Sequence, residues 1–283
     1  MSVDYVTVGH VTVDVLADGS RRPGGSAFYS ALQAARLGCR AAILTRGVRG
    51  EIESLLEPYL DELELEVIDA PRTTTLRTLG TGVEREQELV AWAGPIAREE
   101  VVVDAAIVHF APVARETPDG LCGSARFVGV TPQGLVRDWP AGGGRIVARA
   151  LERALLPPRC DAFVLSTSER ESCATLLAPA DDEPSDRAQA QLVAVTAGAA
   201  PTELQLPDGQ LVRVAVPLVE RALDDLGAGD VFAAAFFVAL AEGSAPVRAA
   251  SFANAAAAVR IAGEGPQAIG ARAAIERRLS LAA

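Results

Sequence analysis

The sequence predicts an α/β fold built on a parallel sheet, with a small β-sheet flap set apart from it. Three observations predict this. Short apolar runs alternate with segments of helix length through most of the 283 residues, the rhythm of β-α-β units. Between residues 63 and 92 the rhythm stops, and alternating segments follow one another with no long helix between them. Near the C-terminal end, Asp224-Asp225-Leu226-Gly227-Ala228-Gly229-Asp230 runs into an apolar stretch from Val231 to Phe237. That pattern is a glycine-rich turn feeding a buried helix.

Residues 3–9 read as a buried strand, and Val11, Val13 and Val15 continue with period-two alternation. Asp14 falls on the face opposite those valines. A carboxylate just beyond a central strand either grips substrate hydroxyls or faces solvent. Residues 21–26 read as a loop entering a helix at 27–37, closed by Gly38. Gly24 and Gly25 at that entry suggest close approach by a ligand or another backbone. A strand at 41–45 and a helix at 51–60 follow. Residues 63–68, 73–79 and 85–92 read as flap strands, with a turn at 80–82. Strands at 105–110, 127–130 and 162–165 come next, with helices at 146–155 and 167–177. The acidic stretch 178–190 reads as a surface loop. A strand at 192–196 precedes a hairpin of 203–206 with 211–214. Helices at 230–241, 247–262 and 271–281 complete the chain.

Composition excludes several chemistries. The net charge of −11 and pI near 4.8 argue against nucleic-acid or acidic-membrane partners. The sequence contains no lysine, so neither a Schiff base nor a Walker-type phosphate lysine is available. Cys39, Cys122, Cys160 and Cys173 show no CxxC spacing, and only His10 and His109 could join them, so no zinc site is expected. Neither a signal peptide nor an apolar run of membrane-spanning length is read, and a reduced, cytoplasmic chain fits. No G-x-G-x-x-G follows the first strand, which disfavours a dinucleotide-binding dehydrogenase.

The turn at 224–230 is the centre of the functional reading. Gly227 and Gly229 let the backbone approach another group closely, and a helix N-terminus there favours an anion. Asp230 would repel a bound phosphate. Its presence makes sense if a hydroxyl between the two must lose a proton before attacking phosphorus. The competing reading is a tight turn with Asp230 as helix N-cap. His10 follows the first strand and either reaches substrate or is a polar strand-end residue, the commoner case; His109, in an apolar strand, reads as structural. Tyr29 and Trp92 are either core aromatics or ligand-packing ones.

The chain resembles the ribokinase-like family, the PfkB carbohydrate kinases. Residues 224–232 match its D-T-x-G-A-G-D-x-F signature, with Asp225 where Thr is usual. Gly24-Gly25 through Ala35-Arg36-Leu37-Gly38 match its N-terminal signature. Asp14 matches the substrate-gripping aspartate, and Val195-Thr196-Ala197-Gly198 a strand-end T-x-G bordering the nucleotide. The family's N-x-x-E motif falls on Ser166 to Glu169, with Ser replacing Asn. The resemblance implies a single doubly wound domain with lid strands near 11–16 and 63–92, the lid also being a candidate homodimer surface. It implies Asp230 as general base and an anion hole at Gly227, Ala228 and Gly229. It places an acceptor at Asp14, Gly24, Gly25 and Tyr29, and nucleotide at Thr196, Gly198, Asn254 and Gly263. It also implies ATP, Mg²⁺ organised indirectly by Glu169, and often a monovalent cation such as K⁺ in loops near the anion hole. The implied activity is phosphorylation of a hydroxyl on a small sugar or polyol. A nucleoside kinase is the first alternative. A catalytically silent binding or regulatory member is the second, motivated by Asp225, Leu226 and Ser166.

Overall fold

Residues 3–79, 86–177 and 192–281 are described by the computed structural model. Strands β1 (Val3–Val8), β2 (Thr12–Val15) and β3 (Arg21–Gly24) precede helix α1 (Ser26–Arg36). Then come β4 (Ala41–Gly47), α2 (Arg49–Leu56), β5 (Leu63–Asp69), β6 (Thr75–Leu79) and β7 (Glu86–Ala91). The middle of the chain supplies β8 (Val102–Phe110), β9 (Cys122–Val130), the short β10 (Arg137–Asp138), β11 (Gly144–Arg145) and β12 (Val147–Ala148), and β13 (Ala162–Ser166). A single turn of helix, α3 (Ala174–Leu177), leads to β14 (Val193–Ala197), β15 (Ala200–Gln205) and β16 (Leu211–Val214). Helices α4 (Ala228–Ala241), α5 (Pro246–Ile261) and α6 (Arg272–Ser280) follow.

Among the described residues the main sheet has nine strands in the order β16-β15-β14-β13-β9-β8-β1-β4-β5. It is parallel except where β14–β15 and β15–β16 pair antiparallel. Successive residues of β1 feed opposite faces: Tyr5 joins the core beneath α1, α4 and α5, whereas Val6 and Val8 join the core on the other side. This is the two-residue period of a strand buried on both faces. Helix α4 is apolar all round because it lies between the sheet and other helices. It approaches β9 so closely that a Cβ on Gly129 would overlap the ring of Phe237.

A second sheet has the order β11-β7-β6-β2-β3. It corrects two expectations. Residues 21–24 form an edge strand rather than a loop, with Pro23 opposite Val13; proline is tolerated there because an edge strand needs fewer donors. Residues 63–68 belong to β5, which pairs parallel to β4 at the margin of the main sheet and not in the smaller one. Their alternation reflects one solvated face of an edge strand.

The helices expected at 146–155 and 167–177 are also corrected. Ile146 N–H donates to Gln87 O, Arg149 N–H to Val136 O and Leu151 N–H to Ser172 O. Those donors are spent on other segments, so no helical ladder forms. Residues 167–169 form a 3-10 turn, and only 174–177 are α-helical. The turn expected at 80–82 and the loop at 178–190 lie outside the described residues. No helix of the described chain is long and apolar enough to cross a membrane.

Candidate active site

The strand ends of the main sheet, the smaller sheet and the start of α4 enclose a cleft of about 750 Å³. It brings together most of the residues singled out in the sequence: Asp14, Gly25, Tyr29, Glu169, Thr196, Gly198, Asn254 and residues 227–230 all line it. Gly24 and Gly263 are not among the residues that line it.

The turn before α4 is built by local hydrogen bonds. Leu226 N–H donates to Asp224 Oδ1 at 3.0 Å, and Ala228 N–H to Asp225 O at 3.2 Å. Ala228 N–H, expected in the anion hole, is thus directed into the turn. Gly227 is the helix cap, at φ 76° in the left-handed region. A Cβ there would overlap the Tyr29 ring. Gly229 differs, since a Cβ on it would meet nothing within 4 Å among the described residues. Asp230 lies in the first helical turn. It is not the N-cap, because Gly227 holds that position and no side chain caps it. Burial pushes the Asp230 carboxyl up to about 7; Glu169 and Asp14 reinforce that, while a Ser26 hydrogen bond and the Arg137 charge oppose it. A carboxyl balanced near neutrality suits proton abstraction. Ser30 Oγ–H ties the Asp230 carbonyl to α1 at 3.1 Å.

Asp14 is only 3% exposed, so the solvent-facing reading fails. Thr12 Oγ1–H donates to its Oδ1 at 2.7 Å, and a Cβ on Gly24 would overlap its carboxylate. The absence of a side chain at Gly24 is what lets β3 lie against Asp14. Gly25 has φ 92° and lies against the His10 carbonyl. Tyr29 is buried, and its hydroxyl has no hydrogen-bond partner among the described residues.

At the other end, Thr196 Oγ1–H reaches Leu165 O at 3.4 Å. Glu169 Oε2 accepts the Ser166 N–H at 2.8 Å. Asn254 is buried on α5: its oxygen accepts from Thr202 at 2.8 Å and its nitrogen donates to Ala215 O at 3.1 Å. It braces α5 against the hairpin. Neither histidine is among the residues that line the cleft. His10 Nδ1 pairs with Thr74 at 2.8 Å, and His109 bridges Tyr5 and Thr131 at 2.9 and 3.0 Å. Trp92 Nε1–H donates to Ala114 O.

Sequence reading missed two arginines. Arg137, on β10, lines the cleft and is held by Val113 O at 2.9 Å and Gln87 Oε1 at 2.8 Å. Glu169, Asp230 and Asp14 bear on it electrostatically. The TPQG turn just before it was the available signal. Arg260, on α5, is fully buried beneath the turn. Its guanidinium lies 5.7 Å from the Tyr29 ring centroid. A lone arginine among Ala255–Val259 and Ile261 was its signal.

A family model described as pfkB family carbohydrate kinase matches residues 3–272. No curated protein matches the chain. Among solved structures, a pyrophosphate-dependent kinase of the ribokinase family, complexed with a pyrophosphate analogue and myo-inositol, is 23% identical with TM-score 0.74, covering 96% of this chain and 99% of that one. An Arabidopsis thaliana ribokinase complexed with ribose and ATP is 20% identical with TM-score 0.70, covering 99% of both. A Methanocaldococcus jannaschii nucleoside kinase is 15% identical with TM-score 0.69, covering 99% of both.

Proposed function

The chain belongs to the pfkB family of carbohydrate kinases, and from that premise we propose that it moves the terminal phosphoryl group of ATP to a hydroxyl of a small sugar or polyol. The observation that carries this reading is the Asp230 carboxyl, held near pH 7 in the same cleft as Asp14 and the glycine turn.

Asp14 accepts hydrogen bonds from acceptor hydroxyls, and Gly25 and Tyr29 shape the space beside it. Asp230 takes the proton of the attacking hydroxyl. The new P–O bond forms as the bond to the bridging oxygen breaks, and ADP leaves. The start of α4 and Arg137 offset charge on the moving phosphoryl group. The donor lies toward Thr196 and Gly198, with its base against the apolar side chains of Val216, Pro217, Ala257 and Ile261, which line that end of the cleft. A divalent ion, when bound, neutralises donor phosphate charge. Among the described residues no group of three or more His, Cys, Asp or Glu forms a metal cage. Glu169, which lines the cleft, would help hold a hard ion carried mainly by phosphates and water.

Pyrophosphate is a second reading for the donor, favoured by the pyrophosphate-dependent neighbour. The apolar end of the cleft favours a nucleotide. The deciding experiment is a phosphorylation screen of purified protein with Mg²⁺ and either ATP or pyrophosphate, against sugars, polyols and nucleosides. Phosphorylated sugar or polyol with ATP is expected. Transfer only to nucleosides, or to nothing, would overturn the acceptor or the catalytic reading respectively.

A further inference from the structure

We infer that the Arg260 guanidinium serves as a built-in cation beneath the anion turn, so that this chain needs no free monovalent cation for phosphoryl transfer. The inference rests on the proposed activity and concerns how its site is held.

The resemblance to the family implies a monovalent cation in the loops near the anion hole. Such a cation needs inward-facing oxygens, carbonyls above all. Those oxygens exist here and are already taken. Arg260 Nη1 donates to Asp224 O at 3.1 Å and to Gly263 O at 3.3 Å. Its Nη2 donates to Asp224 Oδ2 at 2.9 Å and to Leu226 O at 2.8 Å. The three carbonyls and the carboxylate come from two separated loops, the one entering α4 and the one leaving α5. One side chain, with no exposed surface, joins them.

The charge balance agrees. Burial alone would raise the Asp224 carboxyl, yet hydrogen bonds and charge from Arg260 hold it below its ordinary range, helped by the Leu226 and Gly265 N–H groups. Arg22 adds a second guanidinium, 3.4 Å from the same oxygen. A free cation in this cage would sit against a positive charge that cannot leave, since arginine does not deprotonate. The donor set therefore does not fit a free ion. A planar fork suits it, because several carbonyls and a carboxylate edge can be met at once. Arg260 is a positioning residue: it touches the turn that touches the donor.

The test measures turnover and melting temperature at fixed ionic strength, with tetramethylammonium, Na⁺ or K⁺ as the only monovalent cation. Wild-type protein is expected to be indifferent in both. Saturable K⁺ activation of about fivefold or more, the size typical of coupled sites, would overturn the inference. So would a K⁺-specific rise in wild-type melting temperature. Arg260→Ala is expected to lose kcat more than donor or acceptor KM, and to regain it with millimolar guanidinium or K⁺ but not tetramethylammonium. Arg260→Lys should retain part of the activity without added ion. An Arg260→Ala protein that folds but responds to no ion, in turnover or in melting, would count against a cation role. Should Arg260→Ala fail to fold, the wild-type melting arm decides. Should no acceptor be phosphorylated in any salt, the activity reading fails while the melting measurements still decide this one.

Discussion

The ring of Tyr29 occupies the space that a Cβ on Gly227 would need. Gly227 is therefore glycine twice over, for its left-handed backbone and for the ring above it. Gly227→Ala should destabilise the protein by more than the ~1–2 kcal/mol of a left-handed alanine, and turnover should fall with it. Gly229→Ala should leave the melting temperature nearly unchanged, because nothing lies within 4 Å of its Cβ, yet still reduce turnover by filling the cleft. Thermal unfolding beside kinetics on both variants separates the two roles.

Asp230→Asn should fold and lose about 10²–10⁴-fold in kcat, the range of general-base catalysis. In the wild type, turnover should rise with pH through about 7 as the carboxyl ionises. A variant keeping more than half of wild-type turnover would remove Asp230 from the chemistry.

The same carboxyl affects stability with the opposite sense. Its folded affinity for a proton exceeds its unfolded affinity, so native protein binds more protons between the ordinary carboxylate range and about 7. That contribution to stability is full at low pH and is lost as pH rises through about 7. Asp230→Asn removes the effect. Its melting temperature should exceed wild type at pH 8, and the gap should narrow toward pH 4.

Two neighbours should move the pH–rate midpoint in opposite directions. Burial is the main cause of the raised Asp230 carboxyl, Glu169 adds to it, and Arg137 opposes it. Arg137→Gln should shift the rise in kcat to higher pH, and Glu169→Gln to lower pH. Profiles recorded across pH 5–9 check both signs.

Asp14→Ala should weaken acceptor binding by roughly 1.5–3 kcal/mol, the value of hydrogen bonds to a charged group, and leave donor affinity almost unchanged. Separate titrations with acceptor and donor test this. Equal loss for both would place the acceptor at the wrong end of the cleft.

What could be read from the sequence was what depends on local pattern. The apolar run at residues 3–9 marked β1 as a buried strand, the alternation of Val11, Val13 and Val15 marked the extended chain of β2, and the glycine turn before an apolar run marked the start of α4 and Asp230. What could not be read depends on partners far away in the chain. Residues 146–155 carry apolar side chains at helical spacing, but their N–H groups go to Gln87, Val136 and Ser172. Pro23 looked like a loop residue because nothing local says that β3 is an edge. Arg260 drew no reading, since its role is set by carbonyls of two loops that meet only in the fold. Asn254 was placed on the nucleotide from its helix, whereas Thr202 and Ala215 occupy its amide.

Strand β2, which carries Asp14, belongs to the smaller sheet, whereas Asp230 rides on α4 against the main one. Any hinge motion between the sheets carries one carboxylate and leaves the other behind. The distance between the acceptor's holder and its deprotonating group is then itself the measure of closure.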